Sequence, residues 1–158
     1  MTIMDALYRI DEVKPNRYSQ SEKTKWLSIL DGVIKSEIID THEGGEDVVF
    51  NGYDDSTEIS TKLLVPAPYD DIYLFWLESR IDYWNGEYDK YNNSITTYDT
   101  AYRAYANYYN RNHKPKGSKF EFLSSKTSKN PLNLVLDIKD EDLISTPLPR
   151  IEFISEDT

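Results

Sequence analysis

Between Trp26 and Tyr109 the apolar residues of this chain recur mostly at helical spacing, and beyond residue 117 they do not. The first clear run is SQSEKTKWLSILDGVIKSEIIDTHEGG. In it Trp26, Ile29, Leu30, Val33, Ile34 and Ile38 fall three and four apart, the repeat that gathers side chains on one face of a helix. Ser19 or Ser21 supplies a cap, Glu22 an acid for the first turn, and Gly44-Gly45 an end. The pattern predicts an amphipathic helix from Ser21 to His42. Gly32 inside it costs about 1 kcal/mol relative to alanine, which points to a close helix crossing. Upstream, DALYRIDEVKPNRY (residues 5–18) alternates weakly and halts at Pro15, which predicts a short strand or an extended arm. Downstream, residues 43–68 are polar, acidic and glycine-bearing, and read as a long loop with Val48, Val49 and Phe50 as a small apolar anchor. Pro66 and Pro68 hold the chain extended before the next helix, whose start Asp70 and Asp71 complement electrostatically.

From Tyr69 a longer pattern begins. Leu74, Leu77, Ile81, Trp84, Tyr88, Tyr91, Ile95, Tyr98, Tyr102, Tyr105 and Tyr109 are separated by alternating steps of three and four, a heptad-type seam. Ile72, Tyr73, Phe75, Trp76 and Tyr83 widen its first half into a buried helix. Ala101, Ala104 and Ala106 flank the second half and let another backbone come close. The seam stays in phase as one long helix requires, yet YNNS (91–94), with Ser94 as a possible cap, favours two helices or one with a marked kink. His113 and Pro115 stop the element. Beyond residue 117, FEFL, NPLNLVLDI and RIEFI are short apolar runs broken by Pro131, Pro147 and Pro149. They predict an extended or short-β arm that adds strands to the body or to a neighbouring subunit. The expected architecture is mainly α: a small bundle of three to four helices over residues 1–116, a long loop, and a C-terminal arm over 117–158.

Tyrosine changes the picture most. Six of the thirteen tyrosines lie between residues 91 and 115. A large ring with a polar tip suits a surface that is packed without being fully dry. The expected core and interface residues are Trp26, Leu30, Val33, Leu74, Leu77, Ile81, Trp84, Tyr88, Tyr91, Ile95, Tyr98, Tyr102, Tyr105 and Tyr109. With no cysteine, disulfides and thiolate metal sites are excluded. The N-terminal residues do not read as a signal peptide and no apolar stretch reaches membrane-span length, so the expectation is a soluble protein made in the cytoplasm. The net charge of −10 argues against wrapping a polyanion. The charge is uneven, however. Arg111, Lys114, Lys116, Lys119, Lys126 and Lys129 face only Glu121 over residues 111–129, and seven acids follow between 137 and 158. A basic band and an acidic tail either match between neighbouring copies or are simply solvated. Phe50, Tyr53, Arg111, Lys114, Lys116 and Lys119 are the expected partner contacts.

Signals of catalysis are poor. His42 with Glu43, Glu46 and Asp47 has no recognised ligand spacing, so no metal or other cofactor is expected. Neither a nucleophile elbow nor a phosphate-binding loop is present. Asp54-Asp55 and Asp70-Asp71 have no evident partner opposite them. Tyrosines near Arg103, Arg111, Lys114 and Lys116 could stack on bases, but a heptad row normally faces another helix, and Tyr108 is the better candidate for exposure.

Three stretches carry a resemblance: EKTKWLSILDGVIKSEIIDTH, LLVPAPYDDIYLFWLESRIDYWNGEYDKYNNS and YDTAYRAYANYYNRNHKP. Their most specific pieces are W-L-x-x-L-D-G (Trp26 to Gly32), P-Y-D-D-I-Y (Pro68 to Tyr73) and E-Y-x-K-Y-N-N (Glu87 to Asn93). Over roughly residues 8–115 the chain resembles the head–tail connector, or adaptor, proteins of tailed phages and prophages. The resemblance implies a non-enzymatic virion protein of the neck, a ring of about twelve copies between the portal and the tail or stopper proteins. Genome DNA would pass through such a ring without sequence-specific contact. An acidic wall would keep it from sticking. Two other readings stay open: a prophage-encoded helical interaction or regulatory protein, and a neck-associated DNA-binding protein.

Overall fold

The chain begins with a helix where the sequence pattern suggested a strand. The computed structural model describes residues 1–117, of which Met1–Lys116 form one unit. Helix α1 spans Ile3–Val13. Thr2 caps it and exchanges hydrogen bonds with Asp5, a capping box that satisfies two otherwise free backbone donors. The weak alternation of residues 5–18 had pointed to a strand or arm. The decisive set is instead Ile3, Ala6, Leu7 and Ile10, buried together on one helical face. Tyr8 and Val13, which lent the segment its alternation, face outward.

Helix α2 spans Gln20–Ile34, with a second capping box between Ser19 and Glu22. A single π turn, Lys35–Ile39, continues it. The bond from the Asp40 amide to the Lys35 carbonyl encloses one residue more than an α turn. That extra residue rotates the following side chains, so that both Ile38 and Ile39 are buried. The buried row of α2 is Leu27, Leu30 and Ile34. Trp26 and Val33 are half-buried and Ile29 is exposed, so the apolar face lies slightly round the helix from the expected one. Gly32 accommodates the ring of Phe50 from the following loop, not another helix.

The loop of residues 43–68 is confirmed, with a 3-10 turn at Gly45–Asp47. It is a fitted part of the body. Its Thr61 and Ile59 carbonyls accept from the Ile3 and Met4 amides, two donors that the first turn of α1 leaves free. Tyr53, Leu63 and Val65 are buried from it. Helix α3 follows at Ile72–Trp84 and α4 at Tyr88–Asn112. Asp71 occupies the cap position of α3 without a side-chain bond to the helix. It pairs with Arg9 instead, at 3.1 Å.

Two helices, not one, cover the tyrosine seam, and they part at Asn85–Glu87 and not at residues 91–94. Gly86 has φ +73°, the left-handed conformation that glycine adopts without side-chain strain. Its amide bonds the Tyr83 carbonyl and the Glu87 amide bonds the Asp82 carbonyl, the paired bonds of a Schellman helix end. The chain then reverses, and α4 packs antiparallel along α3. Ser94 is buried within α4 and donates to Asp82 at 2.9 Å, so it is not a cap. Trp84 and Tyr88, expected in the core, flank the reversal and are 61% and 65% exposed. The described residues are mainly α, a bundle of four helices, with no strand longer than an isolated bridge. The arm expected over 117–158 lies, from residue 118 on, outside the described residues.

Candidate protein-docking surface

The tyrosines beyond α1 divide into two populations, and the exposed one is at the end of the α3–α4 hairpin. The first is interior. Asp31, fully buried on α2, accepts hydrogen bonds from the Tyr73 hydroxyl at 2.5 Å, the Tyr53 hydroxyl at 2.6 Å and the Leu64 amide at 3.2 Å. Tyr73 in turn accepts from the Val65 amide at 2.8 Å. One carboxylate therefore ties α2, the loop and α3 together. Burial raises its pKa, against the lowering effect of the two phenols and the Leu64 amide. Both phenols are pushed well up, chiefly by burial and then by the Asp31 charge. Tyr53 had been expected to meet a partner, but it is committed to this interior. Phe50, half-buried, packs edge-on against it at 5.2 Å.

Most seam tyrosines of α4 are interior as well. Tyr98, Tyr105 and Tyr109 are buried, while Tyr91 and Tyr102 are half-buried. Tyr98 lies 5.0 Å from Trp76, and burial pushes its phenol up to about 12. Tyr102 donates to Glu37 at 2.7 Å, joining α4 to the π turn. Tyr108, the expected exposed ring, is half-buried beside Tyr69 at 4.7 Å. Trp76 donates to the Trp26 carbonyl and carries the Arg80 guanidinium over its ring at 4.0 Å. The residues of W-L-x-x-L-D-G and P-Y-D-D-I-Y thus meet: Asp31 with Tyr73, and Trp26 with Trp76 just beyond. Leu30, Leu77 and Ile81 fill the core around them.

His42, Lys114 and Lys116 are engaged within the frame. His42 is buried and donates from Nδ1 to the Ile38 carbonyl at 2.7 Å. Its ring meets Tyr109 at 5.1 Å, and Tyr109 stacks on His113 at 3.7 Å. The segment after α4 then runs back along residues 41–43, with bonds from Glu43 to Lys114 and from Lys116 to Thr41. Lys114 pairs with Glu43 at 2.6 Å and Lys116 with Glu46 at 2.8 Å. Of the basic band, Lys114 and Lys116 are therefore met by acids of the loop, while Arg111 is exposed. Lys119 lies outside the described residues. Asp54 turns its carboxylate onto Ser56 and Thr57, which holds its pKa below the usual value. No three His, Cys, Asp or Glu side chains among the described residues are placed to hold a metal. None of the described helices is long and apolar enough to cross a membrane.

The second population sits at the tip of the α3–α4 hairpin. Tyr83, Trp84, Tyr88 and Tyr91 form one aromatic group, with Tyr83 at 5.5 Å from Trp84, 6.5 Å from Tyr88 and 5.4 Å from Tyr91. Tyr83, Trp84 and Tyr88 are exposed. Glu87, Asp89 and Lys90 stand beside them, with Lys90 bonded to Glu87 at 2.9 Å. Water-facing rings of this size, rimmed by charge, are the composition of a protein interface centre. An open groove of about 430 Å³ on α3 and α4, lined by Phe75, Thr96, Thr97, Thr100, Ala101 and Ala104, is a further recess. Thr96, Thr97 and Thr100 turn their hydroxyls back onto carbonyls one turn earlier, so that groove is smooth. Compared with known proteins, the chain matches no family model, and no curated protein or solved structure is similar to it.

Proposed function

We propose that this chain is a structural subunit of a tailed-phage neck, a head–tail connector that forms a ring between the portal and the tail or stopper proteins. The observation that carries the reading is the aromatic tip, where exposed Tyr83, Trp84 and Tyr88 gather around half-buried Tyr91 on a packed helical body. A body whose buried histidine, buried carboxylate, Lys114 and Lys116 are engaged within its own frame offers the aromatic tip as a surface for other proteins. The resemblance over roughly residues 8–115 supplies the kind of assembly. A ring needs two unlike lateral surfaces that fit each other and close, and in this proposal the hairpin tip and the α3–α4 groove serve as the two. In a ring, the chain's net charge of −10 would disfavour adhesion of the passing genome.

Light scattering on the purified chain at rising concentration, followed by electron microscopy of any ring and of virions, tests the proposal. Rings and density for this chain at the neck are the expected result. A monomer at every concentration, with virions that lack the chain, would overturn it and leave a helical interaction or regulatory protein. A DNA-binding role draws less support, because Lys114 and Lys116 are engaged by Glu43 and Glu46. A salt-dependent shift of double-stranded DNA by the purified chain would reverse that ranking.

A further inference from the structure

The chain contains the dipeptide Asn-Gly twice, at Asn51-Gly52 and Asn85-Gly86, and the fold treats the two differently. Asn-Gly is the sequence most prone to intramolecular attack, because glycine puts no side chain in the way of its own amide nitrogen. In that reaction the glycine nitrogen bonds to the asparagine side-chain carbonyl carbon and loses its proton. Ammonia leaves, and a five-membered succinimide remains. Water then opens the ring at either carbonyl. One opening gives aspartate, and the other gives isoaspartate, in which the backbone runs through the former side chain. Water is the sole co-reactant, and nothing is oxidised or reduced.

At Asn85-Gly86 the attacking amide is engaged and the asparagine side chain is held in place. The Gly86 amide donates to the Tyr83 carbonyl at 3.0 Å within the helix end. The Asn85 side-chain oxygen accepts from the Tyr18 hydroxyl at 2.9 Å. Attack there requires the end of α3 to open and the Asn85 side chain to leave the position in which Tyr18 holds it. At Asn51-Gly52 neither restraint exists. Both residues are exposed in irregular chain, and among the described residues neither the Gly52 amide nor the Asn51 side chain makes a hydrogen bond. Gly52, at φ +85°, sits between two fixed points, the Phe50 ring on Gly32 and the Tyr53 amide on Ser28.

We infer that Asn51 is a site of spontaneous deamidation and backbone isomerisation in the folded protein, and that Asn85 is protected by the helix end it belongs to. The position gives the reaction a consequence. An isoaspartate at residue 51 adds a backbone atom between Phe50 and Tyr53, the span that leads into the Asp31 junction. The loop then no longer fits its two anchor points, and the modified chain loses part of the tie between α2 and the loop.

The test is a timed incubation of the full folded chain in mildly alkaline buffer, with peptide mapping by mass spectrometry and isoaspartyl methyltransferase labelling at each time. A parallel sample in denaturant removes the fold. In the folded chain Asn51 should convert at least about tenfold faster than Asn85, a difference of about 1.4 kcal/mol in barrier. In denaturant the two rates should converge. The isolated isoaspartate form should melt below both the unmodified chain and the N51D variant, which carries the charge without the extra backbone atom. Equal rates in the folded chain, or an intact Asn51 over the time in which the denatured chain converts, would overturn the inference.

Discussion

Removing the hydroxyl of Tyr73 leaves the Val65 amide and one Asp31 oxygen without a partner in a dry interior. The Tyr73→Phe variant should lose about 1–3 kcal/mol of stability in urea unfolding, and more than Tyr53→Phe, which orphans neither, because the Leu64 amide still bonds the Asp31 oxygen that Tyr53 gives up. A loss no greater than that of Tyr53→Phe would show that leaving the Val65 amide and the Asp31 oxygen unpaired carries no weight. Asp31 itself sets a pH dependence of opposite sign to an ordinary paired carboxylate. Burial raises its folded-state pKa above the usual 3.8, so the native state holds the proton more tightly than the unfolded state does. Its contribution is therefore greatest at low pH and declines as pH rises from the ordinary carboxylate range through the raised value. The capping acids Asp5 and Glu22 do the reverse: backbone bonds to Thr2 and Ser19 lower their values, and their help fades as pH falls. The stability difference between the native chain and Asp31→Asn should accordingly shrink with rising pH through that window. A difference that grew instead would contradict the burial account. Asp31 was legible as a residue of W-L-x-x-L-D-G, but not as a buried junction. Its partners lie on the loop and on α3, and helical spacing within α2 says nothing about either.

Among the elements, α2 and the existence of helices beyond Tyr69 were readable because each repeats its apolar positions over several turns. Helix α1 was not, since half of its buried face consists of Ile3 and the small Ala6, and the outward Tyr8 and Val13 imitate a strand pattern. The reversal at Gly86 escaped for a different reason. A repeat of three and four continues unchanged whether the helix runs on or folds back, because both arms must face the same interior. The local signal was the Asn-Gly pair after Trp84. Substituting Gly86 tests how much of the hairpin rests on its left-handed conformation. No atom lies within 4 Å of the side-chain position, so Gly86→Ala should cost only the backbone strain, about 1–2 kcal/mol by thermal unfolding. Gly45→Ala should be far worse although its φ is not positive, because the added carbon would lie 2.2 Å from the Ile39 carbonyl oxygen. If the two variants melted alike, steric closeness at the π turn would not be what holds Gly45.

For the molecule as a whole, the division between framework and free surface could not be drawn from spacing. Trp84 and Tyr88 occupy seam positions as regular as Leu77 and Tyr98, yet they flank the turn and face water. The two groups should part in experiment. The double variant Trp84→Ala, Tyr88→Ala should change unfolding free energy by no more than about 0.5 kcal/mol, as exposed residues do, while reducing self-association or partner binding in light scattering. Tyr98→Ala, from the buried set, should instead destabilise the chain by about 3–5 kcal/mol. Large destabilisation by the tip variant would mean that those rings serve the fold and not a partner.

The exposure of Trp84 has a practical corollary. Of the three indoles in the chain, Trp76 is buried and Trp26 half-buried, which leaves Trp84 as the one largely bathed in water. Its fluorescence therefore contributes the red edge of the emission, and covering the hairpin tip would move that edge to the blue while the other two indoles keep their spectra. The protein carries its own optical gauge of occupancy, without any attached dye.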